Sequence, residues 1–254
     1  MAKVVLFNKP YGVHSQFRKD DDNMQTLADF FADKSLRVAG RLDKDSEGLL
    51  ILTDHGGLNH TITTPPTGRE YQGIAKRKVY LVQVEHLPND EQVQALQNGV
   101  LLKDGKTKPA TVKLLADGDL PIALWERNPP IRERKSVPTA WLEIGIVEGK
   151  NRQVRRMVAS VGLPCLRLIR YQVSEWTLGD LAMGESRTLM LDDDQLRALG
   201  VSPLDEQNQS TVYNPRLQAD KSKQTKSEKS KLTGHSKPTK PSSKVIKYRP
   251  KSAR

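Results

Sequence analysis

Short apolar segments with β-strand composition recur along the first 191 residues, and they restrict the fold more than any other feature of the chain. The apolar runs within them are at most four residues long, far short of the roughly 20 residues that cross a bilayer. The segments follow one another with few long helical patterns between them. This order predicts an α+β protein with a mixed, largely antiparallel central sheet and flanking helices. The predicted strands are residues 3–8, 48–53, 78–85, 111–116, 139–148, 166–173 and 185–191.

Three segments carry helical patterns. Residues 24–32 place Leu27 and two phenylalanines at helical spacing, which predicts an amphipathic helix. Residues 89–99 begin with Asn and end with Gly, the residues that commonly open and close a helix. Residues 151–162 contain a stripe of four apolar residues and also end with Gly. A helix is therefore expected at each of these three places.

The arginines of residues 151–162 differ in their expected directions. On a helical wheel, Arg155 lies at the edge of the apolar stripe, whereas Arg152 and Arg156 lie away from it. The wheel therefore predicts that Arg155 reaches into a site and that Arg152 and Arg156 face outward. A solvated basic face is the alternative for all three residues.

The positive charge of the chain is confined to its C-terminal part. Residues 216–254 contain 13 Lys and Arg but two acidic residues, so they account for the whole net charge of +11. Because this Lys-, Ser- and Pro-rich segment cannot bury enough apolar surface, it is predicted to be disordered from residue 203 onward. The expected domains are therefore residues 1–202, a folded catalytic domain, and residues 203–254, a basic tail. The tail is either an electrostatic tether to RNA or a solubilising appendage.

The chain shows no sign of export or of a metal centre. It contains one cysteine, Cys165, and no apolar run of signal-peptide length at its N-terminus. A cytoplasmic protein without a membrane segment is therefore expected. The five histidines are scattered along the sequence, and no metal or cofactor is predicted.

Residues 39–53, AGRLDKDSEGLLILT, place acidic residues directly before a buried strand. Asp43, Asp45 and Gly48 match three positions of a calcium-binding loop, but the apolar residues 49–52 occupy positions where such a loop needs oxygen ligands. An ordinary surface turn is a second interpretation. In the third, one of the carboxylates is catalytic.

Four motifs favour the catalytic interpretation. They are residues 8–17 (NKPYGVHSQF), residues 39–53, residues 76–85 (KRKVYLVQVE) and residues 148–162 (EGKNRQVRRMVASVG). In this order and spacing they resemble the pseudouridine synthases, in the branch that modifies ribosomal RNA. Within that branch, residues 127–144 and 167–173 are similar to the type E synthases, which act on large-subunit RNA. Many relatives in the branch carry an RNA-binding S4 domain before the first motif, and none is expected here.

The resemblance implies a fold, a reaction and a set of site residues. It implies the pseudouridine synthase fold and isomerisation of a specific uridine in large-subunit (23S) ribosomal RNA, without a cofactor. Asp43 is then the catalytic aspartate, Tyr80 the active-site tyrosine that stacks on the uracil, and Arg155 the active-site basic residue. Arg41 matches an arginine near the space that the extruded base leaves. The implied partner is ribosomal RNA or a partially assembled large ribosomal subunit, with no obligate protein partner.

Clustered cations suggest a path for the RNA. Two adjacent prolines stiffen residues 127–135, so the cations of this segment can contact phosphates at a small ordering cost. Solvated surface charges are the alternative interpretation. The expected RNA-binding residues are Arg127, Arg132, Arg134, Lys135, Lys150, Arg152, Arg156 and Arg170.

A protein that only binds RNA or assists ribosome assembly could share this fold without activity. Such a protein could lose Asp43 at little structural cost. The joint presence of Asp43, Tyr80 and Arg155 therefore favours the enzyme.

Overall fold

The computed structural model describes residues 1–64, 77–116, 118–131, 134 and 136–201. Arg132, Lys135 and the predicted tail from residue 203 lie outside the described residues. The strands are β1 (Ala2–Lys9), β2 (Arg37–Val38), β3 (Glu47–Thr53), β4 (Lys78–Glu85), β5 (Leu101–Leu102), β6 (Gly105–Lys106), β7 (Thr111–Leu115), β8 (Thr139–Ile146), β9 (Cys165–Val173), β10 (Trp176–Thr177) and β11 (Ser186–Leu191). The helices are α1 (Gly56–Thr63), α2 (Asp90–Asn98), α3 (Gln153–Ser160), α4 (Asp193–Ala198) and a 3-10 turn (Leu27–Asp29).

One large sheet organises the described part of the chain. Its strand order is β11-β1-β3-β9-β4-β8-β7, with β10 beside β9 and β2 beside β3. All its pairs are antiparallel except β3 with β9, which run parallel over two register positions. The prediction of a mixed, largely antiparallel α+β sheet is therefore confirmed. Among these residues, no helix is long and apolar enough to span a bilayer.

The helix expected at residues 24–32 is largely absent. The structure has only the single 3-10 turn there, which Thr26 opens with a capping box. Phe30 and Phe31 follow the turn, and the ring of each lies 5.0 Å from the ring of Phe7 on β1. Their helical spacing therefore reflects packing against the sheet and not a continuous helix. Helices α1 and α4 were not expected from the sequence.

The two faces of the sheet carry separate cores. Strand residues alternate between the faces, so that Leu50 and Val82 pack with α3 on one face while Leu49 and Leu81 pack with α1 and α4 on the other. We call these the α3 face and the α4 face. Tyr80 belongs to the α3 face because it has the same parity along β4 as Val82.

Gly48 allows the parallel strands to approach closely. It has a φ of +97°, and a Cβ atom at this position would clash with the carbonyl oxygen of Arg170. Gly48 and Arg170 are register partners between β3 and β9. Only glycine meets both demands, since its φ is positive and its α-carbon nearly touches a neighbouring backbone.

Gly48→Ala is expected to destabilise the protein severely. The loss in unfolding free energy should be roughly 2–5 kcal/mol, combining backbone strain with overpacking. Gly118→Ala is the matched control, because Gly118 has a φ of +89° but no atom of the described residues within 4 Å of its added Cβ. Urea denaturation of both variants measures their unfolding free energies. Equal losses of unfolding free energy would mean that the close approach of Gly48 to Arg170 does not contribute to the cost.

Candidate active site

A cavity of about 780 Å³ opens on the α3 face. Its walls come from six parts of the chain: residues 14–15 of the first motif, residues between 38 and 46, the end of α1 with Thr64, the start of β4, residues 146–154 and the middle of β9. We call residues 41–46 the Asp43 loop. The predicted site residues that line the cavity are Arg41, Asp43, Tyr80, Lys150, Arg152 and Arg170.

The first motif holds the Asp43 loop from both sides of Asp43. The Ser15 hydroxyl donates to the Leu42 carbonyl oxygen at 2.8 Å and accepts from the Leu42 amide at 3.1 Å. On the other side, the Gly12 amide donates to the Lys44 carbonyl oxygen at 2.7 Å. Because its two neighbours are fixed, Asp43 has a defined position at the cavity wall with a side chain that is 35% exposed.

Lys9 in turn supports the first motif. Its side chain is fully buried and donates to the carbonyl oxygens of Pro10 and Val13, each at 2.8 Å. Burial lowers the pKa of Lys9 to about 7, although the negative charge of Glu47 opposes the shift. The Lys9 amine therefore shapes the turn that carries the contacts to the Asp43 loop.

Arg152 faces the site, which contradicts the prediction that it points outward. Its guanidinium donates to both Asp45 oxygens, at 2.9 and 2.7 Å, and Nη1 lies 3.6 Å from Oδ2 of Asp43. The helical wheel was wrong here because α3 starts at Gln153. Arg152 precedes it with left-handed dihedral angles (φ 47°, ψ 35°), so helical spacing does not set its direction.

Arg155 lies behind the Asp43 loop and does not line the cavity. Its Nη2 donates to the Asp45 carbonyl oxygen, its Nε lies 3.7 Å from Oδ2 of Asp45, and its Nη1 lies 3.4 Å from the Cys165 sulfur. The wheel predicted that Arg155 reaches into a site, but its largely buried side chain contacts Asp45 rather than Asp43. It acts on the site by holding the loop.

Both arginines therefore contact Asp45. No sequence pattern indicated that they would contact Asp45 rather than Asp43. Burial disfavours ionisation of Asp45, but the Arg152 hydrogen bonds and the charge of Arg155 outweigh it and hold its pKa below the usual 3.8. With both guanidinium groups directed at Asp45, the Asp43 carboxylate makes one long ionic contact with the described residues, at 3.6 Å. Its carboxylate thus remains available to a molecule in the cavity.

Tyr80 and Arg170 lie deep in the cavity. Tyr80 is 8% exposed, and it lines the cavity. Arg170 is 2% exposed and donates to the carbonyl oxygens of Leu49 (2.8 Å) and Gly40 (2.9 Å). Burial lowers the pKa of Arg170, while its interaction with Tyr80 opposes the shift. The prediction that Arg170 contacts RNA phosphates is therefore wrong, because strand alternation turns it into the core.

Arg41 lines the cavity from its rim. Its side chain is exposed, and it forms no ion pair with any of the described residues. Among the described site cations, it is thus well placed to meet an incoming group.

Two of the predicted RNA-binding residues use their charged groups in contacts within the protein. The Lys150 ammonium lies 3.2–3.3 Å from three carbonyl oxygens of residues 104–106. Arg156 forms two hydrogen bonds, at 2.7 and 3.0 Å, with the Asp104 carboxylate. Both cations therefore tie the β5–β6 hairpin to α3.

The remaining predicted cations that the structure describes lie on the α4 face. Arg127 and Arg134 border a second cavity, of about 440 Å³, whose lining includes β4 residues of the parity opposite to Tyr80. Arg134 is half-exposed and pairs with Glu85 at 3.2 Å. The guanidinium carbon of Arg127 lies 4.3 Å above the ring centre of Tyr11. These two residues do not join the first cavity.

The pH dependence of the unfolding free energy should reveal the ion pair between Asp45 and Arg152. Because the fold lowers the pKa of Asp45, the pair stabilises the protein above the pKa of the unfolded chain and is lost as pH falls through the folded value. Between about pH 6 and pH 3, the wild type should lose more unfolding free energy than Asp45→Asn. Asp22→Asn, at an exposed loop aspartate, is the control and should follow the wild type. Parallel curves for all three proteins would contradict the assignment.

The comparison with known proteins agrees with this geometry. The family model described as RNA pseudouridylate synthase matches residues 3–160. The ribosomal large subunit pseudouridine synthase E of Vibrio vulnificus is 48% identical over 189 residues, covering 74% of this chain and 76% of that protein. The protein of the same name from Xanthomonas axonopodis pv. citri is 53% identical over 180 residues, covering 70% of this chain and 90% of that protein.

A solved structure agrees as well. The crystal structure of a pseudouridylate synthase shares 27% identity with a TM-score of 0.59, and the match covers 79% of this chain and 74% of that one. The resemblance that the four motifs indicated is therefore confirmed, and so is the fold that it implied. The match over residues 3–160 and the identity of 48% and 53% to these relatives show that the chain belongs to the RNA pseudouridylate synthase family.

Proposed function

We propose that this chain converts a specific uridine of large-subunit (23S) ribosomal RNA to pseudouridine, with Asp43 as its catalytic residue. The main observation in support is the position of Asp43, which lies at the wall of an open cavity beside Arg152 and shares that cavity with Tyr80. The relatives that are 48% and 53% identical are named ribosomal large subunit pseudouridine synthase E. The combination favours this substrate class over other RNAs.

The reaction centres on one carboxylate beside the target uridine. The C1′–N1 bond of the uridine breaks, the uracil turns, and C5 bonds to C1′, while C5 loses its proton and N1 gains one. An ionised Asp43 can attack the sugar or the base, or remove a sugar proton, as carboxylates do in related chemistry. All three routes use the charged carboxylate, and the Arg152 guanidinium lies 3.6 Å from it.

Tyr80 and Arg41 suit the two ends of an extruded nucleotide. A uridine in folded RNA must leave its stack before an enzyme can act on it. The buried ring of Tyr80 offers a flat surface for the uracil at the inner end of the cavity. The exposed guanidinium of Arg41 at the rim suits a phosphate or the space that the base leaves.

The wider RNA contact is proposed to use Arg127 and Arg134 together with Arg132 and Lys135. Lys150 and Arg156 are poorer candidates than they were from sequence alone, because their charges are bound within the protein. We assign catalysis to residues 1–202 and RNA tethering to residues 203–254. The substrate is either ribosomal RNA itself or a partially assembled large subunit.

A purely RNA-binding protein of the same fold is the competing function. It would need neither a carboxylate at the cavity wall nor an arginine pair that holds the neighbouring loop. The cluster of Asp43, Arg152 and Asp45 therefore favours the enzyme.

Asp43→Asn is expected to abolish turnover while leaving the fold and RNA affinity nearly unchanged, because the two side chains are almost isosteric. Release of tritium from large-subunit RNA labelled at uridine C5 measures turnover. Asp54→Asn is the control, since Asp54 is an exposed aspartate just beyond the opposite end of β3. Asp43→Asn activity within about tenfold of wild type would reject the catalytic role, since loss of an essential group costs far more. Mapping pseudouridine in ribosomal RNA from cells with and without the protein identifies the target.

Alanine substitutions of the three arginines in residues 148–162 should change the reaction rate to different extents, because the three side chains have different contacts. Arg152→Ala should lower the rate at saturating RNA by about tenfold or more, as expected for loss of a charged hydrogen-bonding partner. Arg155→Ala should lower it too, because the Asp45 backbone loses its anchor. Arg156→Ala is the matched control and should keep the rate, since Arg156 contacts Asp104 outside the site. A rate loss in Arg156→Ala equal to that in Arg152→Ala would show that the motif acts through helix stability alone.

A further inference from the structure

Glu47 is a buried carboxylate directly after the Asp43 loop, and it is 1% exposed. It accepts two hydrogen bonds from Arg167, each at 2.9 Å, and one from the indole nitrogen of Trp125 at 2.8 Å. Arg167 is itself 6% exposed and also donates to the Trp125 carbonyl oxygen at 3.1 Å. The guanidinium of Arg167 lies 5.3 Å from the centre of the Trp125 ring. Three side chains distant in sequence thus share one closed set of contacts.

This set joins two functional parts of the chain. Trp125 begins the segment of residues 125–131, which carries Arg127 and which we call the arm. Glu47 begins β3 immediately where the Asp43 loop ends. One carboxylate therefore fixes the end of the loop and the first residue of the arm.

The arm reaches the other side of the Asp43 loop as well. Arg127 stacks on Tyr11 at 4.3 Å and donates to the Pro129 carbonyl oxygen at 2.8 Å. Tyr11 precedes Gly12, whose amide donates to Lys44 within the loop. The arm is thus connected to the loop at Glu47 and, through Tyr11 and Gly12, at Lys44.

A buried ion pair is a costly way to fill this position. Leu49 and Ile51 occupy the same face of β3, so an apolar residue would suit the start of the strand. Replacing a buried ion pair by apolar groups is often neutral or stabilising, so such pairs are weak contributors to stability and serve better to select one arrangement. The arrangement selected here is the arm against the Asp43 loop.

We propose that Glu47 is a positioning residue that couples the arm to the Asp43 loop, with Arg167 and Trp125 as its partners. The inference rests on the proposed function, in which the arm contacts RNA and Asp43 performs the chemistry. RNA that binds the arm is then placed at a fixed position relative to the Asp43 loop. Glu47 does not touch substrate, because it lies on the α4 face and is closed off by its partners.

Trp125→Phe tests the coupling with the least disturbance. It removes the indole N–H that Glu47 accepts but keeps an aromatic ring next to Arg167. Trp141→Phe is the matched control, because Trp141 is a partly buried tryptophan packed against the same core and takes no part in the hydrogen bonds to Glu47. For each variant, tritium release gives KM and kcat for large-subunit RNA, and limited trypsin digestion followed by mass spectrometry gives the rate of cleavage after Arg127.

Trp125→Phe should raise KM by about threefold or more while kcat stays within about twofold, because the arm loosens and the loop stays anchored by Arg167. Cleavage after Arg127 should accelerate by a similar factor. Glu47→Gln should raise KM and also lower kcat, by about tenfold, since the uncompensated Arg167 disturbs the loop end too. If Glu47→Gln does not fold, Trp125→Phe decides.

Two results would overturn the coupling. One is a KM and a cleavage rate for Trp125→Phe equal to those of Trp141→Phe. The other is a fall in kcat with unchanged KM, which would make the cluster a support of the active site alone. Failure of the proposed function is distinguishable from both, because then the wild type would release no tritium from this RNA. The trypsin rates would still show whether the arm is held by Trp125.

Discussion

The parallel contact of β3 with β9 is the constraint on which the rest of the structure depends. It joins the strands β11, β1 and β3 to the strands β9, β4, β8 and β7, over two register positions. Gly48 makes this contact possible because no other residue could approach the Arg170 backbone so closely. Around the same contact, Arg170 reaches the Leu49 and Gly40 carbonyl oxygens and Arg167 reaches Glu47. The cavity, the Asp43 loop and the arm are all arranged about this junction.

The acidic residues near the junction have different partners, and this difference sets their roles. Glu47 is enclosed with Arg167, and Asp45 receives hydrogen bonds from Arg152 and Arg155. Among the described residues, the Asp43 carboxylate has one long ionic contact, and it lines the cavity. A carboxylate whose two oxygens both accept hydrogen bonds from arginine serves structure, whereas one that keeps free lone pairs beside a cation can act on a ligand. Similar side chains close together in sequence are thus separated by their surroundings.

Positive charge in the sequence is a poor guide to positive charge that RNA can reach. Arg170 is buried, and Lys150 and Arg156 hold a hairpin to α3. Arg41 and Lys44, in contrast, are exposed at the cavity. Arginine and lysine bind backbone carbonyl oxygens and carboxylates as readily as phosphates, and which of these they meet is decided by neighbours distant in sequence.

Much of the fold and of the site follows from the sequence alone, because those features depend on local periodicity and on motif order. The seven main strands and the α+β class follow from periodicity, whereas the places of Asp43, Tyr80 and Arg41 at one cavity follow from the family resemblance that the motifs carry. The tertiary structure alone decided the parallel β3–β9 pair, the burial of Arg170, the inward turn of Arg152 and the clusters around Asp45 and Glu47. Periodicity describes residues within one regular element, and Arg152 lies just outside α3 with a left-handed backbone. Glu47 and Arg167 are 120 positions apart, and a contact over that distance arises only when two strands meet, so no local pattern records it.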